Sequence, residues 1–353
     1  MGYRIAIVGA GAVGGYAGAY MAQAGEDVTF IDMWPENVEA MRNKGLRITH
    51  IRDVPEFTVP VKAIHLTELQ ATVKQKPFDI AFICVKSYDT AWATTMIQQY
   101  LSPGGFVVSL QNCMNEETIA GIVGWGRTLG AIASSITVEL TEPGHVRRAS
   151  GKGGAAHTVY RVGEVHGRLT DRAREIGRLT ALSDSTHVTP NLWGERWSKL
   201  VTNGMANGLS ACTGLISKDI LLNDTLRRFG ARLGAEGVRV GQALGYQLEE
   251  IHHMDPEIIA GAGEGNAAAT KEYDEHRIAE ARKGGGAHRP SMGQDMVKGR
   301  RTEIEFINGF IVDKAAPLGI PTPANAALTE IVKRVERGEI APDPKHILEL
   351  RLN

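Results

Sequence analysis

Apolar and polar positions follow two different rhythms along this chain. Up to about residue 190, short, mostly apolar runs recur between longer mixed stretches. Tyr3–Val8 (YRIAIV), Asp27–Ile31 (DVTFI), Phe78–Val85 (FDIAFICV) and Gly105–Leu110 (GFVVSL) are such runs. Short apolar runs of this kind, rich in Ile, Val and Phe, predict strands buried on both faces of a parallel sheet. Gly130–Ile136 and Thr158–Val162 are strand-like too, with a polar, glycine-rich stretch over residues 142–154 between them. Residues 168–181 form a charged amphipathic helix, and around Thr189-Pro190-Asn191 the pattern turns helical. The prediction is an α/β chain with a Rossmann-type domain over residues 1–189 and a helical domain over 190–353. A length of 353 residues agrees with two cores.

The first strand runs straight into Gly9-Ala-Gly11-Ala12-Val13-Gly14, a small-residue helix follows, and the second strand ends at Asp32. Strand, GxGxxG, helix, strand and acidic residue in this order form a dinucleotide-binding signature. Gly9 permits the tight turn, Gly11 lets a pyrophosphate approach the backbone, and Gly14 lets the helix pack on the strand. The helix start, with Ala12 and Val13, offers N–H groups to phosphate. Asp32 is placed to accept from ribose hydroxyls and to repel a 2′-phosphate, and Met33, Trp34 and Pro35 follow it rather than an arginine. NAD(H) is therefore expected over NADP(H). Trp34 either stacks on adenine or is a partly buried aromatic at a strand end, the second being the plainer reading. Lys86 and Asn112 follow the third and fourth strands, the end at which doubly wound sheets hold ligands. By spacing alone Lys86 is as readily a solvated loop lysine. Cys113 has no identifiable partner base and reads as a small buried thiol.

Composition narrows the function classes. The net charge is −1, from 39 basic and 40 acidic side chains, so no basic field points to nucleic acid. Cys84, Cys113 and Cys212 are far apart, which fits a reducing compartment and argues against a disulfide framework or a cysteine-rich zinc site. No apolar run reaches the length of a membrane span, and a cytoplasmic protein is expected. His145, His157 and His166 lack metal-ligand spacing and read as surface or hairpin residues.

In the helical half, Lys199, Asn203 and Asn207 are spaced by four, so a continuous helix would line them up on one face. Such a stripe suits a carbonyl and its neighbouring hydroxyls, but by periodicity alone a solvated polar face is the better reading. The segment 249–290 contains Ile251-His252-His253-Met254-Asp255 and the glycines Gly284–Gly286. Adjacent histidines on a helix point apart, which argues against a shared metal.

Taken together, the chain resembles the ketopantoate reductase (2-dehydropantoate 2-reductase) family over most of its length. The specific motifs are Glu195-Arg-Trp-Ser-Lys199-Leu-Val-Thr-Asn203-Gly-Met-Ala-Asn207, Ser291-Met-Gly-Gln-Asp295, Arg301-Thr-Glu303-Ile-Glu-Phe-Ile-Asn308-Gly309 and Gly319-Ile-Pro-Thr-Pro323-Ala-Asn325. The resemblance implies a C-terminal domain of the 6-phosphogluconate dehydrogenase-like type and hydride transfer from a nicotinamide to a 2-oxo acid. It implies Lys199 as general acid and Asn203 and Asn207 as holders of substrate oxygens. Ser291 would contact the substrate carboxylate, Glu303 would sit near the lysine and the cofactor ribose, and Asn112 and Lys86 would belong to the active-site and cofactor loops. By its local sequence Glu303 is equally part of a surface ion-pair face.

Three features depart from the family: Cys113 where Gln-Asn-Gly is common, Asp32 where many members take NADP, and a longer connection over 249–290. That connection is expected to be a helical insertion with a glycine hinge, covering the substrate pocket or adding to a subunit interface. A homodimer in pantothenate synthesis is the leading expectation, with no nucleic-acid or membrane partner. An NAD-dependent dehydrogenase oxidising a different hydroxy acid or alcohol is the rival enzyme. In that direction Lys199 acts as base and needs a lowered pKa. A non-catalytic NAD(H)-sensing protein is the rival from another class, and it leaves Lys199 without a purpose.

Overall fold

A computed structural model describes residues 2–51, 54–283 and 289–351. Cα packing divides the chain into two compact units, Met1–Leu192 and Trp193–Asn353.

Unit 1 opens with β1 (Arg4–Val8), α1 (Ala12–Gln23), β2 (Asp27–Asp32), α2 (Pro35–Lys44), β3 (Leu46–His50), β4 (Phe57–Val59) and β5 (Lys62–His65). It continues with β6 (Phe78–Ile83), α3 (Thr90–Gln98), β7 (Leu101–Ser109), α4 (Glu116–Val123), β8 (Thr128–Ala133), β9 (Val138–Glu142) and β10 (His145–Arg148). β11 (Tyr160–Glu164), α5 (Asp171–Ala181) and β12 (Thr186–Val188) complete it. The main sheet has the order β12-β11-β8-β7-β6-β1-β2-β5. It is parallel from β5 across to β8, and β11 joins β8 antiparallel.

The polar stretch after residue 142 is part of a second sheet, β4-β3-β10-β9, in which β10 runs parallel to β3 from a hundred residues earlier. This sheet explains the composition of α1. Gly18 lies against Phe30 and Ile7 of the main sheet, and Gly15 against Val146 of the second. The helix thus carries glycine at positions where each sheet comes close to its backbone.

The second sheet is tied to the first by a buried ion pair. Arg148 on β10 meets Asp184, which follows α5, at 2.6 Å, and both side chains are shielded from solvent. Asp184 also accepts from the backbone N–H groups of Ser185 and Gly153, and Arg148 donates to the Tyr16 hydroxyl at 3.0 Å.

Unit 2 is helical: α6 (Leu192–Gly204, whose first residue belongs to unit 1), α7 (Asn207–Thr213), α8 (Ser217–Leu222), α9 (Asp224–Ala243), α10 (Pro256–Gly263) and α11 (Ala267–Arg282). α12 (Ser291–Val297), α13 (Ile304–Ala315), α14 (Pro323–Glu336) and α15 (Lys345–Leu348) follow. The stretch 249–283 is helical over α10 and α11, and the glycines Gly284–Gly286 lie outside the described residues. Two expectations are corrected. The predicted helix through Lys199, Asn203 and Asn207 is interrupted at Met205-Ala206, and His252-His253 form a turn rather than part of a helix. Among the described residues no helix is long and apolar enough to cross a membrane.

Burial opposes the charge on Asp184, but the hydrogen bonds from Ser185 and Gly153 and the charge of Arg148 outweigh it and hold its pKa below the ordinary aspartate value. A depressed carboxylate contributes stability above its unfolded pKa and loses it as pH falls through the folded value. Asp184→Asn leaves Arg148 buried without a counter-charge and should cost about 3–5 kcal/mol at neutral pH. Denaturant titration checks this: the deficit should shrink below about pH 4, and a variant as stable as wild type at pH 7 contradicts the assignment.

Candidate active site

In unit 1 the chain steps outward from β1 to β2 in one direction and later from β6 to β7 in the other. The carboxyl ends of β1 and β6 therefore flank the switch point where such sheets hold ligands. The Gly9–Gly14 turn follows β1 at this place. Gly9 has φ +96° and its N–H donates to the Ile31 carbonyl at 2.9 Å. A Cβ on Gly14 would fall 2.3 Å from the Gly9 carbonyl oxygen, whereas one on Gly11 would meet nothing within 4 Å. The turn is packed on the sheet side and open at Gly11. α1 starts at Ala12 with no side-chain cap, so its first N–H groups, including those of Val13 and Gly14, have no carbonyl within their own helix. An open backbone at a helix N-terminus fits a dinucleotide pyrophosphate.

Asp32 sits at the end of β2, and one carboxylate oxygen accepts from the Ala10 N–H at 2.7 Å while the other accepts from Trp34 N–H at 2.8 Å. It thus braces the glycine turn as well as facing the cofactor end, and each oxygen keeps a further acceptor site. Buried Asn37 supports the same turn, donating to the Ala10 carbonyl at 3.2 Å and accepting from Gly144 N–H at 2.9 Å.

Lys86 and Asn112 lie in the loops after β6 and β7. Asn115 joins these loops, its Nδ2 donating to Ser87 Oγ and to the Asn112 carbonyl. Gln111 Nε2 donates to the Val85 carbonyl and Thr90 Oγ1, both at 2.8 Å. Cys113 has φ +68° and is buried. It holds the backbone shape a glycine takes freely.

In unit 2, α6 packs its apolar face on α9. Trp197 is fully buried, its Nε1 donates to the Gly237 carbonyl at 2.8 Å, and its ring occupies the space a side chain at Gly241 would need. With that face locked, Lys199 is left half-buried and Asn203 is buried with its Nδ2 lacking a hydrogen-bond partner. Asn203 is therefore not part of a solvated stripe. The helix stops at Gly204, whose carbonyl accepts from buried Asn308 Nδ2 at 3.0 Å, and Asn308 in turn donates to Asn325.

After the break, Asn207 opens α7, and its Nδ2 lies 3.4 Å from the Oγ of Ser291 at the start of α12. Glu303 immediately precedes α13 and is buried; Ile304 beside it packs near Gly208 on α7. Arg301 and Glu305 of this segment form a surface ion pair. Unit 2 thus brings Asn207 to Ser291 and puts Lys199 and Asn203 on one turn of helix. Sequence reasoning missed Asn37, Gln111 and Asn115 because their partners are distant in the chain. Asn308 and Asn325 were visible only as family motifs.

The family model for ketopantoate reductase PanE/ApbA matches residues 5–158, and the model for that family's C-terminal part matches 191–336. The 2-dehydropantoate 2-reductase of Archaeoglobus fulgidus is 29% identical over 339 residues, 95% of this chain and 98% of that protein. The Pyrococcus abyssi 2-dehydropantoate 2-reductase is also 29% identical, over 94% of this chain and 98% of that protein. Among solved structures, a PanE/ApbA family ketopantoate reductase from Ralstonia eutropha JMP134 is similar with a TM-score of 0.76 at 27% identity, over 95% of this chain and 99% of that one. A D-mandelate dehydrogenase shares the fold, with a TM-score of 0.78 at 23% identity over 95% and 98% of the two chains.

The two glycines of the turn should respond differently to a methyl group. Gly11, at φ −71° with open space around it, should accept alanine with its melting temperature nearly unchanged, while dinucleotide affinity drops roughly tenfold or more as the phosphate approach is blocked. Gly14→Ala should lower the melting temperature itself. Thermal melts and calorimetric titration with NADH and NADPH check this; unchanged dinucleotide affinity in Gly11→Ala refutes the phosphate site.

Proposed function

The chain belongs to the ketopantoate reductase family, and from that membership we propose that it reduces a 2-oxo acid, 2-dehydropantoate first, to the 2-hydroxy acid with Lys199 as proton donor. The supporting observation is the grouping within unit 2 of a half-buried Lys199 with buried Asn203 and with the Asn207–Ser291 pair.

Unit 1 binds the dinucleotide at the open Gly11 backbone and the first turn of α1. A bound reduced nicotinamide supplies the hydride. Lys199 polarises the substrate carbonyl and delivers a proton to its oxygen as negative charge develops there. Asn203 offers a donor to a substrate oxygen, because its buried Nδ2 has no acceptor among the described residues. Ser291 and Asn207 take the carboxylate, and Glu303 orients the Lys199 amine. Asn112 and Lys86 shape the nicotinamide side of the cofactor site from the loops joined by Asn115.

The Asp32 carboxylate favours NAD(H), although ketopantoate reductases typically use NADPH. A fixed negative charge facing the ribose opposes a 2′-phosphate, and like charges brought together in a binding site cost several kcal/mol.

Lys199→Ala should lower kcat by about 10²–10⁴ while leaving dinucleotide binding intact. Full activity in this variant would remove the lysine from the reaction. In wild type, kcat/KM should be higher with NADH than with NADPH, and Asp32→Ala should narrow that gap at some loss of thermal stability, since two backbone donors lose their acceptor. Faster turnover of wild type with NADPH refutes the cofactor assignment.

A further inference from the structure

Ile251–Met254 close on each other through two backbone hydrogen bonds, Ile251 N–H to Met254 O at 3.0 Å and Met254 N–H to Ile251 O at 3.1 Å. The central residues are His252 and His253, with φ +54° and +60°. Turns of this hand are normally filled by Asn-Gly, which adopts positive φ at little cost. Two histidines here are uncommon, and backbone strain of this sort is retained where a side chain must be placed. The ends are anchored by buried Ile251 and Met254, and His276 Nε2 on α11 is hydrogen-bonded to the His252 carbonyl at 3.0 Å.

The turn belongs to the surroundings of Lys199. Upstream, Tyr246 stacks on Trp193 and tilts against Trp197 of α6. Glu249 N–H then donates to the Oγ of Ser198, the neighbour of Lys199, at 2.9 Å. The His252 ring is half-buried, and its Nε2 is shielded from solvent with no hydrogen-bond partner. Burial, followed by the charges of Arg277 and Lys199 and the rings of His253 and His276, holds the imidazole well below its ordinary pKa. The ring is therefore neutral at physiological pH and can either donate or accept at that nitrogen, according to tautomer. A neutral ring matches an uncharged hydroxyl. A carboxylate in the same place would stabilise the imidazolium and be drawn to Arg277.

We propose that His252 is a specificity-determining residue of the Lys199 site, its Nε2 hydrogen-bonding a hydroxyl in the tail of the 2-oxo acid. The inference rests on the reductase reading above and adds the residue that reads the hydroxyl of the tail.

The test compares kcat/KM for 2-dehydropantoate with that for its deoxy analogue, which lacks only the tail hydroxyl, with the favoured nicotinamide. A buried partner left unpaired by the analogue should make wild type favour the hydroxylated acid by roughly 10²-fold or more. His252→Leu should cut the preference to below about tenfold, mainly through KM for the hydroxylated acid, while the rate on the deoxy acid stays within about threefold. His252→Gln should restore part of the preference, and His253→Asn, one residue along and exposed, should keep all of it. If His252→Leu does not fold, His252→Asn serves instead, since asparagine accepts the left-handed backbone but is too short to reach.

An active His252→Leu that keeps the wild-type preference, or that loses both acids equally, overturns the inference alone. So does a wild type that favours a 2-oxo dicarboxylate over both acids. A wild type that reduces none of them brings down the reductase reading itself.

Discussion

One carbonyl organises the helical unit. At Gly204 the helix carrying Lys199 ends, and its oxygen is taken by Asn308 Nδ2 rather than by a continuing backbone. Asn308 is fixed by Asn325, whose own amide donates to the Leu233 carbonyl and to Glu236 on α9. A buried backbone carbonyl without a donor is costly, so this chain of amides lets α6 stop inside the protein and α7 start in a new direction. Asn203 and Asn207 then stand on either side of a bend. Lys199 is placed by the packing of Trp197 into the glycines of α9, which sets the rotation of α6.

The dinucleotide end of unit 1 obeys a similar logic with different parts. Gly9 is closed in by Cys84 and Val85 after β6, Gly14 by the Gly9 carbonyl, Cys84 and Ile7, and Gly11 is open. Asp32 and Asn37 hold the turn through Ala10. The same carboxylate that supports the loop therefore also carries the charge proposed to discriminate between cofactors, and replacing it acts on shape and selectivity together.

Much of this was legible in the chain because the signals are local. Buried parallel strands appear as mostly apolar runs, and Lys86 and Asn112 do lie in the loops after two of them, β6 and β7. The bend at Met205-Ala206 was not legible. Its residues are ordinary helix formers, and the break is caused by Asn308 a hundred residues later. The second sheet was hidden for the same reason, since β10 pairs with β3 across a long interval. Adjacent histidines carry no sign of the turn that places them, because that turn is normally announced by Asn-Gly. Glu303 looked like part of a surface ion-pair face, and only burial separates it from Arg301 and Glu305.

The central claim is that the chain moves a hydride from a nicotinamide to the carbonyl carbon of a 2-oxo acid. A reduced cofactor with deuterium at both C4 positions tests this most directly, with the product read by NMR. The account predicts one deuterium at C2 of the hydroxy acid from wild type, with the rate of labelling suppressed in Lys199→Ala. Product carrying no label, or cofactor that binds and is never oxidised by any 2-oxo acid, would contradict it.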